Sequence, residues 1–397
     1  MVATPQIRAD IEVSAHVVRE ESELRSLASD WQKLFHTVEC NNVFLSFEWI
    51  SQWWAHFGRN SKLFVVTVRG NDGDLVAVIP LYISKAWRFP ALRRLGLLGD
   101  QFVASDHLGF LVNQVHLSAA VEGARKVIFD RQQEWDFIEL SSASPDSIAL
   151  IQFQEVMLAA QMSIQKTPSS LCPYFHLPRT REEYWSGLRP KLRKNLRYQT
   201  RSLEREGQLK FVAIEDPSEI TRALKELVRL HQLRSDRRGR KSTFLDPKVV
   251  AFHGGAIRAL TSERNARIFF LEVSGKRIAA LYGFCAGRKF CYYQSGADPA
   301  YSRFGVGTVL ISSVIEWAIQ NNYAEFDFLR GDEAYKQLWA TGLTQLHDIS
   351  FFDRRATSRM AQTVRFARNS LREWKAALVR RGTSSSDRCA TVARTAL

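Results

Sequence analysis

Two glycines, Gly305 and Gly307, stand where a strand-like run gives way to a helical one. The run is Tyr292-Tyr293-Gln294-Ser295-Gly296-Ala297-Asp298-Pro299, and the helix opens with Arg303-Phe304-Gly305-Val306-Gly307-Thr308. Glycine at such a turn lets backbone N–H groups approach an anion closely, and a helix N-terminus adds about half a positive charge. The chemistry on offer is the holding of a phosphate or pyrophosphate with few side chains. The plainer reading is a turn shaped by its glycines. A dinucleotide-binding loop would need a third glycine where Leu310 stands and a buried parallel strand before it, so that rival is set aside. No Cys-x-x-Cys or His-Glu-x-x-His spacing occurs, so no metal site is expected. Gly-x-Ser-x-Gly and Walker-type loops are absent too, which argues against a serine hydrolase or a nucleotide triphosphatase.

The elements that must position this turn are legible from periodicity. In the first half the pattern predicts a strand over 11–18 and helices around Trp31 and over Phe47–Phe57. A hairpin follows, with its turn at Asn71-Asp72-Gly73, and then strands near 108–112 and 137–140 and a helix over 146–160. Thr167-Pro168-Ser169-Ser170 reads as a linker. In the second half, helices are expected over 188–205, 219–233 and 248–260. A strand over 209–214 and an antiparallel meander over 267–273, 277–286 and 289–296 accompany them, with Cys285 and Cys291 facing each other as buried small residues. A helix over 306–320, a strand over 324–329, a helix over 332–339 and a strand over 347–352 complete the pattern. Both halves put helices first, then a meander, then strand–helix crossovers, so a duplicated α/β module is the simplest account. Residues 354–397 read as a basic helix with an apolar seam of Met360, Val364, Ala367, Leu371, Trp374 and Leu378.

Of the 397 residues, 45% are hydrophobic and 24% charged, which excludes a disordered chain. The longest apolar run, 76–83, is far shorter than the ~20 residues of a membrane span. No secretory signal is seen, and five scattered cysteines fit a reduced cytoplasmic setting. The net charge of +14 is local: residues 179–210 hold ten basic against four acidic side chains, and 354–397 hold eleven against two. The remainder is neutral, which argues for two anion-seeking elements and against a DNA-coating surface. In the first, Arg193, Arg197, Arg201 and Arg205 repeat at i+4 beside Leu188, Leu192, Leu196 and Leu203. That stripe is either a solvated face or a row of guanidiniums for phosphate groups. The second element packs on the body, docks on a partner or lies on an anionic bilayer.

Meander, glycine turn, helix, strand and short helix together resemble the GNAT acetyltransferase superfamily. The resemblance is nearest to its two-module cellulose-biosynthesis (CelD-type) acetyltransferases, which are similar in build to Fem-type peptidyltransferases. It runs over about residues 11–353, through Phe44-Leu45-Ser46-Phe47-Glu48-Trp49 with Trp53-Trp54 and Val76-Ala77-Val78-Ile79-Pro80-Leu81. It continues in 188–197 and 293–299, and is most specific in Phe326-Asp327-Phe328-Leu329-Arg330-Gly331-Asp332-Glu333-Ala334-Tyr335-Lys336 with Trp339. One position departs: Ser302 stands where the family usually has Arg or Gln. The resemblance implies a mixed-sheet α/β fold with GNAT-like modules at 1–170 and 171–353. It implies acyl transfer from acetyl- or another acyl-coenzyme A to an amine or hydroxyl, with no metal and no covalent enzyme intermediate.

Arg303, Phe304, Gly305, Val306, Gly307 and Thr308 would then hold the donor pyrophosphate. Tyr335 would be the acid for the departing thiolate, or else a packing aromatic. Asp332, or a water near Tyr293, would be the base, with a helix N-cap as the other reading of Asp332. Lys336 would pair with a substrate carboxylate or phosphate, or simply be solvated. Asp106, in Ser105-Asp106-His107, would line the acceptor cleft or sit in a surface loop, and Arg193, Arg197 and Tyr293 complete the expected acceptor contacts. The acceptor is a small molecule or a polysaccharide precursor, and contact with an anionic membrane is an expected accessory. Two alternatives stay open: an aminoacyl-tRNA-dependent Fem-type ligase, and a catalytically degenerate binding factor at the membrane.

Overall fold

β-branched and aromatic runs pair here into one mixed sheet that organises everything else. The computed structural model describes residues 12–86 and 89–367. In chain order the strands are β1 (Val13–Val18), β2 (Lys62–Gly70), β3 (Leu75–Ala86), β4 (Phe89–Leu97), β5 (Leu111–Val112), β6 (Phe137–Ala143) and β7 (Ser163–His176). Then come β8 (Leu209–Ile214), β9 (Ala266–Val273), β10 (Lys276–Ala286), β11 (Lys289–Ala297), β12 (Glu325–Asp327) and β13 (Gly342–Phe352). Across the sheet they run β1-β2-β3-β4-β6-β13-β7-β12-β11-β10-β9-β8, with β5 added beside β3.

That order is two copies of one pattern, related by exchange. Each half is a meander whose fourth strand pairs in parallel with a fifth, β4 with β6 and β11 with β12. The next strand of each half then leaves its own half. β7 pairs with β12, β13 pairs with β6, and the two exchanged strands pair with each other at the centre. Thr167–Ser170 is therefore not a linker but the middle of β7, with Thr167 opposite Asp348. Pro168 is tolerated there because the β7–β13 register shifts between Gln345 and His347, where a ladder donor is not required. β4 and the helix Leu117–Phe129 were not expected from the sequence.

The second meander is covered on both faces, as period-2 alternation requires. Phe269, Leu271, Leu281 and Phe290 pack under the helices Pro190–Glu206 and Val306–Gln320. Ile268, Phe270, Tyr282 and Phe284 face the helices Pro217–Arg237 and Pro247–Ser262. Cys285 pairs with Phe290 and Cys291 with Phe284, so these two thiols belong to opposite faces rather than to each other. Trp49, on the helix Phe47–Phe57, joins the halves: it packs on Phe252 at 4.8 Å, Phe284 at 5.3 Å and Tyr293 at 5.8 Å. No helix among the described residues is long and apolar enough to cross a membrane.

Residues 356–367 are helical, and their contact face is rotated from the expected seam. Ser358 and Ala361 are buried while Met360 is exposed, and Arg365 pairs with Glu139 of β6. Leu371, Trp374 and Leu378 lie outside the described residues.

A buried ionic group braces the first half. Arg94 donates to Asp100 Oδ2 at 2.7 Å, and the Tyr82 hydroxyl donates to Asp100 Oδ1 at 2.7 Å. The Arg94 and Asp100 side chains are 4% and 1% exposed, so neither charge has water to fall back on. Arg94→Met is expected to lose about 3–5 kcal/mol by stranding the carboxylate, while Arg94→Met with Asp100→Leu recovers most of it. Urea unfolding of the two variants checks this, and equal losses would refute it.

Candidate active site

The site begins where β11 and β12 part. They pair only over Lys289–Cys291 and Glu325–Asp327, so from Tyr292 onward β11 has no strand neighbour on that side among the described residues. At the same place β11 is bulged: Gln294 faces Tyr282 while Tyr292 faces Gly283, leaving Tyr293 as the extra residue. A bulge re-aims side chains, and here Tyr293 turns to the Trp49 cluster while Tyr292 faces Phe328 and Tyr335.

Beyond β11, Asp298 caps a tight 3-10 segment by accepting from Ala300 N at 2.9 Å. The chain then reverses through Gly305, whose φ of +63° L side chains rarely adopt. A side chain there would also strike Gln199. Val306–Gln320 starts immediately after. A cavity of about 360 Å³ lies against this helix start, lined by Gly305, Val306, Gly307 and Thr308 and, opposite, by Arg234, Arg237 and Arg238. A Cβ on Gly307 would meet nothing within 4 Å, so that residue leaves the cavity open. Gly305–Thr308 thus line a cleft with three arginines across from it, which fits a phosphate-bearing donor on charge and on backbone access. Arg303 and Phe304 do not line it: Arg303 stacks on Phe304 and lies 3.6 Å from Glu206.

A second cavity, of about 350 Å³, adjoins the first. Asp106, Tyr293 and Arg330 line it, and the wall common to both cavities is made of Arg234, Arg238, Tyr292, Ser295 and Tyr335. Along that wall runs a hydrogen-bond chain. The Tyr335 hydroxyl donates to Tyr292 Oη at 3.3 Å, the Tyr292 hydroxyl and Ser295 Oγ are 2.5 Å apart, and Arg234 donates to Ser295 Oγ. Burial pushes the Tyr335 phenol well above its ordinary value, reinforced by Tyr292. It therefore stays protonated at neutral pH and serves as a donor, not as a phenolate.

Of the remaining expected site residues, Asp106 and Lys336 line the second cavity but are held by protein partners, while Asp332, Arg193 and Arg197 line neither cavity. Asp332 is exposed and lines neither cavity. It caps nothing, because the expected helix over 332–339 is only a 3-10 turn at Lys336–Leu338. The reason is Lys336, whose ammonium donates back to the carbonyls of Leu329 (3.3 Å), Arg330 (2.6 Å) and Gly331 (3.4 Å) and pairs with Glu333 at 2.9 Å. This 3%-exposed lysine holds the turn together and has no donor left for a substrate. Arg193 donates to Trp185 O, and Arg197 lies over the Trp185 ring, in a groove on the other side of Pro190–Glu206. Asp106 is fully buried and held by Arg330, whose Nε and backbone N donate to it at 2.6 and 2.8 Å. Sequence reasoning missed Arg234, Arg237 and Arg238; the basic run Arg234–Lys241 was the available signal. His231, isolated in the sequence and read there as structural, stands in the second cavity's wall with its Nδ1 2.8 Å from Ser242 Oγ. Burial, then Arg234, lowers its pKa to about 4, so it is a neutral imidazole.

Next to Asp106 in the chain, His107 pairs with Asp327 at 2.9 Å, with Lys289 3.6 Å from the same carboxylate oxygen. Burial alone would raise Asp327, but His107 and Lys289 outweigh it and bring the carboxyl to about 2. Burial likewise opposes the His107 charge, and Asp327 prevails, so that pKa is raised. The carboxylate's contribution is present above the unfolded pKa of about 4 and is lost as pH falls toward 2. The histidine's is complete below about pH 6.5 and is lost as pH rises through the elevated folded value. His107 has φ +54°, which asparagine tolerates. The stability difference between wild type and His107→Asn is thus expected to shrink from pH 6 to pH 9. A constant difference in urea midpoints would refute the pairing.

Residues 190–337 match the family model described as an acetyltransferase (GNAT) domain. That match supports a GNAT-type acetyltransferase domain over this stretch. Among curated proteins, none matches the chain. Among solved structures, FemX superposes with a TM-score of 0.58 at 12% identity, covering 80% of this chain and 95% of that one. A conserved protein of unknown function from Bacteroides thetaiotaomicron VPI-5482 gives 0.55 at 13%, covering 85% and 100%. L-PGS from Bacillus licheniformis gives 0.51 at 10%, covering 85% and 93%. At these identities the likeness is one of fold.

Proposed function

We propose that the chain transfers an acyl group from acyl-coenzyme A to an amine or hydroxyl of a polar acceptor. The observation that carries this is the pair of adjoining cavities, one between a glycine-opened helix and three arginines, the other behind Tyr335. The donor's pyrophosphate lies at Gly305–Thr308 with its thioester reaching Tyr335, and the acceptor enters from the second cavity. The nucleophile's lone pair attacks the thioester carbonyl carbon, the C–S bond breaks, and the thiolate leaves as the nucleophile's proton is lost. The Tyr335 hydroxyl, which donates to Tyr292 in the resting site, turns to donate to the charge that develops, and Tyr292, held through Ser295 and Arg234, donates to Tyr335 in its place. The carboxylates lining the two cavities are all paired, Asp298 with Lys276, Asp106 with Arg330 and Glu333 with Lys336. With a pKa of about 4 His231 is a weak base, so the nucleophile's proton passes to water in the second cavity. The segment Phe326–Lys336 supports a CelD-type assignment within this reading.

Calorimetric titration with acetyl-coenzyme A tests the donor, followed by release of free thiol with a panel of amines and sugars. Absence of saturable binding would remove this reading. The FemX-like fold and the exposed Arg197, Arg201 and Arg205 favour a second one, an aminoacyl-tRNA donor. Ribonuclease-sensitive activity would select it.

A further inference from the structure

The second cavity is strongly and unevenly charged. Its carboxylates, Asp106 and Glu333, are already matched by Arg330 and Lys336. That leaves Arg234, Arg238, Arg240 and Lys241, none of which makes an ion pair among the described residues, and Asp236 on the same turn lines neither cavity. Exposed cations are usually just solvated, but these converge on one concavity. Arg234 forms its partly buried wall, with its guanidinium committed to Ser295. Arg238 is crowded by it: the Arg234 charge, ahead of burial, lowers the Arg238 pKa. Like charges held this close raise the free energy of the empty site, and an anion placed between them lowers it.

We propose that the acceptor is a phosphate-bearing small molecule, its phosphate held between Arg238, Arg240 and Lys241 and its nucleophile turned toward Tyr335. This rests on the acyl-transfer reading for the division into donor and acceptor cavities. A carboxylate would offset one of the four charges, whereas a phosphomonoester brings about −1.5 to −2 and three strong acceptor oxygens, and guanidiniums bind it bidentately. A cavity of about 350 Å³ suits a sugar-phosphate-sized molecule, near the low end of small-molecule sites at about 300–1,000 Å³.

The two cavities make the source of the anion separable, because Arg240 and Lys241 line only the second and Arg237 only the first. The experiment titrates glucosamine 6-phosphate, glucosamine and inorganic pyrophosphate into the full chain, with and without saturating acetyl-coenzyme A. Wild type, Arg240→Gln with Lys241→Gln, and Arg237→Gln are compared. The expected result is that the sugar phosphate binds with the donor present, at least tenfold more tightly than glucosamine. It loses at least tenfold in the double variant, whose affinity for acetyl-coenzyme A stays within about twofold. Arg237→Gln should show the reverse. Sugar phosphate binding that acetyl-coenzyme A abolishes, or that ignores Arg240 and Lys241, would assign the cluster to the donor and overturn the proposal. So would equal binding of glucosamine and its phosphate, or no binding of the phosphate at all. Should acetyl-coenzyme A itself fail to bind, the donor reading falls. Phosphate binding that still depends on Arg240 and Lys241 would keep the anion site.

Discussion

Gly307→Trp is expected to weaken acetyl-coenzyme A binding at least 100-fold while leaving the protein folded. Residue 307 is the second of the helix Val306–Gln320, has no left-handed φ, and would aim a Cβ into open space. An indole there fills a good part of a 360 Å³ cavity and covers the backbone N–H groups of the helix start. Glycine is a poor helix former, so the replacement costs the helix nothing and gains a few tenths of a kcal/mol. Thermal melting should therefore be unchanged or slightly higher. Gly305→Ala makes the informative contrast. It needs φ +63° and drives a methyl into Gln199, so it should lower stability as well as binding. Calorimetry and melting on the two variants separate blocked binding from damaged folding. Undiminished affinity in Gly307→Trp would place the donor elsewhere.

Tyr335→Phe carries the second large effect. It removes one hydroxyl from the wall that both cavities share and leaves the ring packed. The expected loss is about 10²-fold in kcat, with KM for the donor within about twofold, as when an interaction made only in the transition state is removed. Lys336→Met acts differently, because Lys336 holds three carbonyls of the adjoining turn. It should lower stability and disturb kcat and KM together. Thiol release under saturating donor distinguishes them, and an unchanged kcat in Tyr335→Phe would leave that residue a packing role.

What the sequence made legible was periodic. The hairpin at Asn71–Gly73, the second meander and the helix after Gly305 all follow from alternation, turn residues and 3.6-residue spacing. What it hid was settled by distant partners. The segment 332–339 has a helical pattern, yet Lys336 reaches back to carbonyls that a helix would have left exposed. Thr167–Ser170 has a linker's composition, yet β13 supplies its ladder from nearly 180 positions away. The glycine turn was visible because glycine has a local backbone meaning. The arginines opposite it were not, since exposed Arg on a helix end means nothing until a cavity is known to lie beside it. Arg193 and Arg197 show the converse: a regular stripe that the fold turns away from the cavities.

The exchange of β7 and β13 also dictates an order of events during synthesis. β6 leaves the ribosome with one neighbour, β4, already made, and its other neighbour about 200 residues away. At about 5–20 residues per second that is an interval of about 10–40 s. All that time β7 and β6 are separated only by the helix Ile148–Ala159, so β7 is free to pair with β6 as a neighbouring strand. The native arrangement requires β7 to hold off, or be dislodged, until β12 and β13 exist. A nascent first half is therefore a species with an open edge and an attractive wrong partner, and translation speed over residues 177–341 becomes a determinant of yield.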